Sequence, residues 1–343
     1  MESFDVIVIG GGPGGLACAK KLALAGRRVL LLERRKLIGP KVCAGGITWD
    51  GLVQRVPEHL VERAFRRQLI FSRRQQVCVY EKNPIIATVN RRTLGQWMMA
   101  DAAGAGGRIR TGMPVREVAD GTVTAVDEQG RPQRFRFRHL VGADGSTSVV
   151  RRFLGLGSNK FGTGINYQVP GQYETMEWHL DYRIFGYGYA WIFPHRDTVS
   201  IGAYGTRENM APARLRTHLI RWAEARGFHL EREHGRAALI NFDYQGFQFG
   251  RTWLVGDAAG LASGLTGEGI YPAIVSGEAV ARKIIDPDYA ADEIRRLAQK
   301  QHRHERILRL AGRNGVLCSL LMEALVLMLR MKLLDFHALE MAD

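Results

Sequence analysis

Acidic residues are in short supply in this chain. Against 48 lysines and arginines stand 34 aspartates and glutamates, a formal net charge of +14. Such an excess points to an anionic partner: nucleic acid, an anionic membrane surface or an acidic redox protein. The arginines are spread along the chain rather than packed into one tract, which speaks against nucleic acid. Cysteine is scarce too. Cys18, Cys43, Cys78 and Cys318 form no CxxC pair and no dense framework, which excludes a disulfide-stapled scaffold and fits a reducing cytoplasm. His195, His229, His234 and the His302–His304 pair lack metal-ligand spacing, so solvated side chains and no metal are expected. No internal repeat or low-complexity segment occurs. The apolar run Val316 to Leu334 is interrupted by Ser319, Glu323, Arg330 and Lys332, which makes it a poor transmembrane span. The first strand signal starts within five residues of Met1, so no signal peptide is expected.

What is present is a core. Hydrophobic residues make up 46% of the 343, and 40 glycines indicate many close backbone approaches. The length exceeds one typical domain, so one large α/β unit or two intertwined domains are expected. The clearest organisation lies in residues 5–33. Asp5 to Ile9 reads as a buried strand breaking into Gly10-Gly11-Gly12-Pro13-Gly14-Gly15, with G-x-G-x-x-G at 10, 12 and 15. Leu16, Ala19, Leu22 and Ala23 mark a helix that Gly26 stops, and a second buried strand, Val29 to Leu32, ends in Glu33. Strand, glycine turn, helix, strand and acid in this order form a dinucleotide-binding βαβ unit. The turn and helix N-terminus would take the pyrophosphate, with Glu33 placed for a ribose.

Beyond Glu33 the periodicity lapses through the basic loop 34–41 and Val42-Cys43-Ala44-Gly45-Gly46. Alternation over 68–89 predicts short antiparallel strands, and Asn90 caps a helix from Arg91 toward Ala103. Separate strands are expected at 115–118, 123–126, 135–137 and from 139, the last ending at Asp144-Gly145. From Gly162 to Gly205 aromatics crowd together: Tyr167, Tyr173, Trp178, Tyr182, Phe185, Tyr187, Tyr189, Trp191 and Phe193. Their strand-like alternation predicts an antiparallel sheet forming one wall of an apolar chamber. Helices are expected at 211–226, 268–285, from 290, and over 316–334, with a buried strand at 253–255. The fold class is therefore α/β: a Rossmann-type domain (1–160 with 245–285), an antiparallel-sheet substrate domain (161–244) and a helical C-terminal tail (286–343).

Three glycine–acid sites are well separated in sequence: the turn at 10–15, Asp144-Gly145-x-x-Ser148-x-x-Arg151, and Gly256-Asp257-Ala258-Ala259-Gly260 with Gly267-Glu268-Gly269-Ile270 after it. This trio resembles the FAD-dependent hydroxylase superfamily, whose three motifs surround one extended FAD. The resemblance implies FAD contacts from Gly10, Gly12, Pro13, Gly14, Gly15, Glu33, Arg34, Val115, Asp144, Gly256, Asp257, Gly267, Gly269 and Ile270. Further stretches narrow it. Lys41-Val42-Cys43-Ala44-Gly45-Gly46-Ile47 resembles the Lys-Pro-Cys-Gly-Gly stretch of geranylgeranyl reductases, with Val42 for proline and Ala44 for the first glycine. Tyr189-Ala190-Trp191-Ile192-Phe193-Pro194 is similar to their Tyr-x-Trp-x-Phe-Pro motif, and Val89-Asn90-Arg91 to their Val-Asp-Arg segment. Ala44, Gly45 and Arg91 thereby join the expected FAD contacts.

The activity implied is saturation of C=C bonds in an isoprenoid chain on a lipid, quinone or related carrier. An isolated C=C is poorly polarised, so flavin hydride needs a proton delivered to the other carbon. Cys43 reads either as that donor or as a small residue where its loop passes the flavin; Tyr189 is the reserve, with Trp191 beside it. Tyr189, Trp191 and Phe193 share one strand face and are read as a wall for the chain rather than ordinary core. An FAD monooxygenase or halogenase of the same fold is the alternative, although the Trp-x-Trp of halogenases is missing, Trp191 standing alone. A third class is a non-catalytic flavoprotein binding lipid or sensing redox state. Without a second nucleotide motif, NAD(P)H would visit transiently or a ferredoxin-like protein would deliver electrons. Arg306, Arg309 and Arg313 fall on one helix face ahead of the apolar run. The 316–334 helix is either core or a peripheral anchor on an anionic inner membrane face.

Overall fold

Val6 to Ile9 are almost solvent-free, as a strand covered on both faces must be. They lie in β1 (Glu2–Ile9), followed by α1 (Pro13–Leu24) and β2 (Val29–Leu32). The structure, a computed structural model, describes residues 1–52 and 55–342. Next come β3 (Gly46–Thr48), α2 (Trp49–Leu52), β4 (Val61–Phe65), β5 (Arg67–Phe71), β6 (Gln76–Tyr80) and β7 (Ile86–Val89). Asn90 then caps α3 (Arg91–Gly104), its side-chain oxygen accepting from the amides of Arg92 and Thr93 at 2.9 and 3.3 Å. Strands β8 (Arg108–Arg110), β9 (Val115–Ala119), β10 (Thr122–Val126) and β11 (Pro132–Gly142) lead to α4 (Val149–Phe153).

The second half opens with β12 (Phe161–Pro170), β13 (Glu177–His179), α5 (Tyr182–Phe185), β14 (Tyr189–Pro194), β15 (Thr198–Thr206) and α6 (Pro212–Glu224). It continues through β16 (Arg236–Asn241), β17 (Gln248–Phe249), β18 (Thr252–Leu254), α7 (Gly256–Ala259) and α8 (Ile270–Ile285). Helices α9 (Asp292–Ala311) and α10 (Gly315–Arg330) and a short turn at Phe336–Leu339 complete it.

The nucleotide-type sheet runs β17-β18-β11-β1-β2-β8, with β10 and β9 branching from β11. Its centre is parallel: β1 pairs with β11 and β2, β2 with β8, and β11 with β18. The strands expected separately at 135–137 and from 139 are one strand. The outer part of β11 pairs with β10, while its inner part is buried between β1 and β18.

A seven-stranded sheet, β16-β12-β15-β14-β13-β5-β6, forms the second layer. It exceeds the expected 161–244 unit because β13 recruits β5, and with it β6, from residues 67–80. A small β3-β7-β4 sheet bridges the layers. The aromatic cluster splits by strand alternation. Tyr167 and Phe185, with Tyr173 beside them, pack with α6 on one face, whereas Trp178, Tyr189, Trp191 and Phe193 occupy the other. So the expected single aromatic wall holds only for the second group.

The C-terminal helices fold back over that second face. Glu323 of α10 accepts from Ser72 Oγ at 2.8 Å and from the Arg74 amide at 3.1 Å, tying the helix to the β5–β6 hairpin. Helix α10 stops at Arg330, short of the expected Leu334, and Lys332 takes a φ of +58°. Cys318, Val326 and Leu329 are buried, while Val316 and Leu320 stay 72% and 61% exposed, so the helix is core on one side and bare on the other. No helix among the described residues is long and apolar enough to cross a membrane.

The segment after α10 is latched by His337, which meets Glu81 at 3.0 Å and Glu340 at 3.1 Å. Burial works against its charge, but the bonds to Glu340 and Glu81 outweigh this and raise its pKa to about 9. A raised pKa stabilises the folded state fully below about 6.5, and the contribution is lost as pH rises through about 9. Proteolytic cleavage in 336–342 should therefore accelerate, and amide protection factors there should fall, between those values, with no such step in His337→Gln. Protection that ignores pH in the native protein would refute the latch.

Candidate active site

The turn after β1 is possible only with glycine. Gly10 has a φ of +108°, and a Cβ there would lie 2.3 Å from the Ala143 carbonyl oxygen; one at Gly15 would lie 2.0 Å from that of Gly10. Glu33, just past β2, accepts from the Gly11 amide at 2.6 Å and the Arg35 amide at 2.9 Å, which aims its carboxylate along the turn. Asp144 follows β11 and accepts from Val149 N at 2.6 Å, while its buried Oδ1 has no partner among the described residues. Burial raises its pKa. Arg151 instead donates to the carbonyls of Gly157, Ala258 and Asp243 and braces the loops beneath. Asp257, in α7, accepts from Lys41 Nζ at 2.9 Å and Ser146 Oγ at 3.2 Å. Arg91 opens α3, and its buried Nε and Nη1 have no partner among the described residues.

Between these acids and the aromatic face runs the loop 41–45. The Gly45 amide donates to Cys43 Sγ at 3.4 Å. Gly45 has a φ of +81°, and a Cβ on it would sit 2.4 Å from His195 Cε1. His195 spans the loop and β4: Nε2 meets the Ala44 carbonyl at 2.9 Å and Nδ1 meets Glu62 at 2.5 Å.

The stretch 263–269 lines the opposite side. Ser263 Oγ accepts from the amides of Leu265 and Thr266 and donates to His304 Nδ1 at 2.8 Å. Burial, helped by the charge of Lys300, takes His304 down to about 4, so its ring is neutral and can accept. The Tyr189 hydroxyl donates to the Thr266 carbonyl, and burial lifts that phenol well above its usual range. Glu268 accepts from the Met341 amide at 2.8 Å, and burial pushes its carboxyl up to about 7.

All of this surrounds one cavity of about 1190 Å³. At one end lie Gly10, Gly12, Pro13, Gly14, Glu33, Arg34, Arg91, Val115, Asp144, Gly256 and Asp257; Cys43, Ala44, Gly267, Gly269 and Ile270 also line it. At the other end Tyr189, Trp191, Phe193, Trp178 and Tyr204 face α10 and the 334–340 segment. Trp178 sits 5.0 Å from Tyr189 and 4.9 Å from Phe193, ring centre to ring centre. Of the sequence-derived residues, Gly15 and Gly45 do not line the cavity; they allow packing behind it, against the Gly10 carbonyl and His195.

The residues present fit FAD. One cavity is lined both by the glycine turn and by the aromatic residues, and the unpartnered Arg91 nitrogens and Asp144 Oδ1 are groups that a polar cofactor would satisfy. The expectation of solvated histidines fails for two: His195 and His304 are buried because Glu62 and Ser263 supply partners. Among the described residues Glu81, Asp335 and His337 bring three possible metal-ligand atoms within 4.8 Å, but they do not line the cavity. The sequence reading gave no role to Lys41, Glu268, Tyr204, Asn166 or Ser200. Lys41 and Glu268 sit inside the motifs named above, and Asn166 and Ser200 are buried polar residues in β12 and β15.

Known proteins resemble the chain in sequence and in fold. Residues 3–309 match the FAD binding domain family. The chain is 27% identical to digeranylgeranylglycerophospholipid reductase 2 of Methanosphaera stadtmanae, over 89% of this chain and 84% of that one. It is 30% identical to geranylgeranyl diphosphate reductase of Rhodobacter capsulatus, over 81% of this chain and 74% of that one. Among solved structures, a geranylgeranyl bacteriochlorophyll reductase-like protein of Thermoplasma acidophilum superposes with a TM-score of 0.82 at 21% identity, covering 99% of this chain and 95% of that one.

Proposed function

The chain belongs to the geranylgeranyl reductase family of FAD-dependent oxidoreductases, and on that premise we propose that it saturates C=C bonds of an isoprenoid chain carried on a lipid, quinone or related molecule. The observation that carries the proposal is the continuity of the cavity: a dinucleotide turn and an aromatic–aliphatic chamber share one space, with Cys43 on its wall.

Bound FAD would supply the hydride, and the protein does the rest. Gly10 to Gly14 with the N-terminus of α1 would hold the pyrophosphate, Glu33 the adenosine ribose, and Arg91, Asp144 and Asp257 the remaining polar groups. Trp178, Tyr189, Trp191 and Phe193 hold the prenyl chain and exclude water. The Cys43 thiol delivers a proton to the carbon opposite the one that receives hydride. Tyr189 is the weaker candidate because its own proton is engaged by the Thr266 carbonyl. The reductant is NAD(P)H or a ferredoxin-like protein.

Anaerobic incubation of the chemically reduced holoprotein with prenyl lipids of graded unsaturation tests the reaction. Product mass should rise by one H₂ for each bond saturated. Oxygen-dependent turnover giving an oxygenated or halogenated product would transfer the protein to the monooxygenase or halogenase class. Retained flavin with no turnover of any prenyl carrier would make it a binding module.

A prenyl lipid must be collected from a bilayer, and we place the protein peripherally on an anionic membrane surface. Ile307, Leu310 and Met328 are exposed and also line the cavity, so its mouth opens among bare apolar side chains. Arg306 and Arg309 are exposed beside it on α9, whereas Arg313, expected on the same helix face, is exposed in the turn after α9, which ends at Ala311. Each cation near an anionic leaflet contributes about 1 kcal/mol, and the apolar face adds to it. Liposome flotation should rise with anionic lipid, fall with salt, and weaken when all three arginines become glutamine while FAD stays bound. Absence from anionic liposomes at every salt concentration would refute the placement.

A further inference from the structure

Loop 41–45 has no regular secondary structure, so other groups must fix the position of its thiol. Its three consecutive carbonyls each meet a different donor. The Gly45 carbonyl accepts from Val89 N at 3.0 Å, that of Ala44 meets His195 Nε2 at 2.9 Å, and that of Cys43 accepts from Asn166 Nδ2 at 3.2 Å. Among the described residues Asn166 is the only side chain bonded to the Cys43 carbonyl. It lies on β12, is buried, and lines the same cavity.

The orientation of its amide is dictated from behind. The Trp191 indole can only donate, and its Nε1 meets Ser200 Oγ at 3.0 Å. Ser200 is completely buried, and its own proton has an acceptor in Asn166 Oδ1 at 2.6 Å. With the amide oxygen so occupied, the NH₂ group must face Cys43. The flipped amide would set oxygen against the Cys43 carbonyl oxygen and leave the Ser200 proton unpaired. The chain of bonds Trp191 to Ser200 to Asn166 to the Cys43 carbonyl therefore has one polarity.

We propose that Asn166 is a positioning residue for Cys43: oriented by Ser200, it pins the Cys43 carbonyl and so sets where the thiol lies in the cavity. The proposal rests on the reading of Cys43 as proton donor, and it deepens that reading by naming what places the donor. A proton donor acts only within hydrogen-bond reach of its acceptor, so a loosened loop lowers turnover without touching cofactor or chain binding.

The test uses FAD-loaded protein carrying Asn166→Leu or Ser200→Ala, each alone and combined with Cys43→Ser. A thiol misplaced by about 1 Å should reduce single-turnover saturation of a prenyl lipid about tenfold to 10²-fold. FAD retention and prenyl-lipid Kd should stay unchanged, and neither variant should add a loss in the Cys43→Ser background. Alkylation of Cys43 by iodoacetamide, read on its own peptide by mass spectrometry, should accelerate in both variants. Native turnover and native alkylation in FAD-loaded Asn166→Leu would overturn the proposal, as would an equal rate loss on the Cys43→Ser background. If Asn166→Leu fails to hold FAD, Ser200→Ala decides: it leaves Asn166 in place and removes its orienting partner, and an unchanged prenyl-lipid Kd shows that Trp191, which loses its Ser200 acceptor, has kept its place. If Cys43→Ser itself turns over normally, the donor reading falls, and the alkylation rates still decide whether Asn166 holds the loop.

Discussion

Cys43→Ser is expected to retain FAD and to slow prenyl saturation by about 10²–10⁴-fold, the usual contribution of a positioned general acid. The size follows from the substrate. An isolated double bond offers hydride no polarised carbon, so the second carbon must receive its proton in the same transition state. Serine nearly matches the volume of cysteine and can still accept from the Gly45 amide, so the loop should survive. What it lacks is acidity: an alcohol is a far poorer proton donor than a thiol of reference pKa about 8.5. Single-turnover oxidation of the reduced holoprotein by a prenyl lipid is the measurement. A rate equal to that of the native protein would remove Cys43 from the chemistry and leave it as a small residue on the cavity wall.

Trp191→Ala should cause the largest loss of folding stability, about 3–5 kcal/mol for a buried aromatic truncated to alanine. The hole cannot close. Trp191 stands opposite Gly202 in the β14–β15 register, and a Cβ on Gly202 would lie 2.2 Å from the indole ring. The cross-strand glycine therefore exists to admit the ring, and it offers nothing to fill the space afterwards. Tyr189 and Phe193, 5.9 and 6.1 Å away, lose a neighbour as well. Prenyl-chain affinity should fall more than FAD affinity, because the ring lies at the chamber end of the cavity. Thermal denaturation combined with separate titrations of FAD and prenyl lipid checks this. Equal losses of both ligands alongside the lowered melting point would assign Trp191 to the core alone. Trp191→Phe should keep most of the chain affinity.

Local chemistry in the sequence was enough for the parts of the fold whose partners are near in the chain. Glycine turn, helix and acid identify the βαβ unit because the pattern that defines it falls within residues 5–33, even though β1 also pairs with β11 and β2 with β8. The cap at Asn90 is legible for the same reason. Alternation over 68–80 reveals strands but not their sheet, since the choice of β13 as partner of β5 is made across about a hundred residues. The two faces of the aromatic cluster follow from counting by twos along β14, but Tyr167 on β12 needs the strand register to be assigned. His195 looked solvated because the acid beside it, Glu62, lies 133 residues away. The same holds for the site. Glycines and acids in family-like motifs were legible, whereas Asn166 and Ser200 acquire meaning only through the pairing of β12 with β15. The end of α10 was misplaced because no glycine or proline marks it; Lys332 leaves the helix by adopting a positive φ.

The roof of the chamber follows, in the chain, everything that it covers. Asp257 and the 263–269 stretch are made long after the turn at Gly10, and α9, α10 and residues 336–342 later still. A nascent chain emerges from the ribosome in that order, so the dinucleotide end of the cavity has all its walls while the aromatic face is still uncovered. The parallel centre of the first sheet adds delay, since β18 must reach back over a whole intervening layer to pair with β11. For that interval Trp178, Trp191 and Phe193 form an open, sticky surface. The order of synthesis thus leaves the aromatic face of the chamber bare until the last helices emerge.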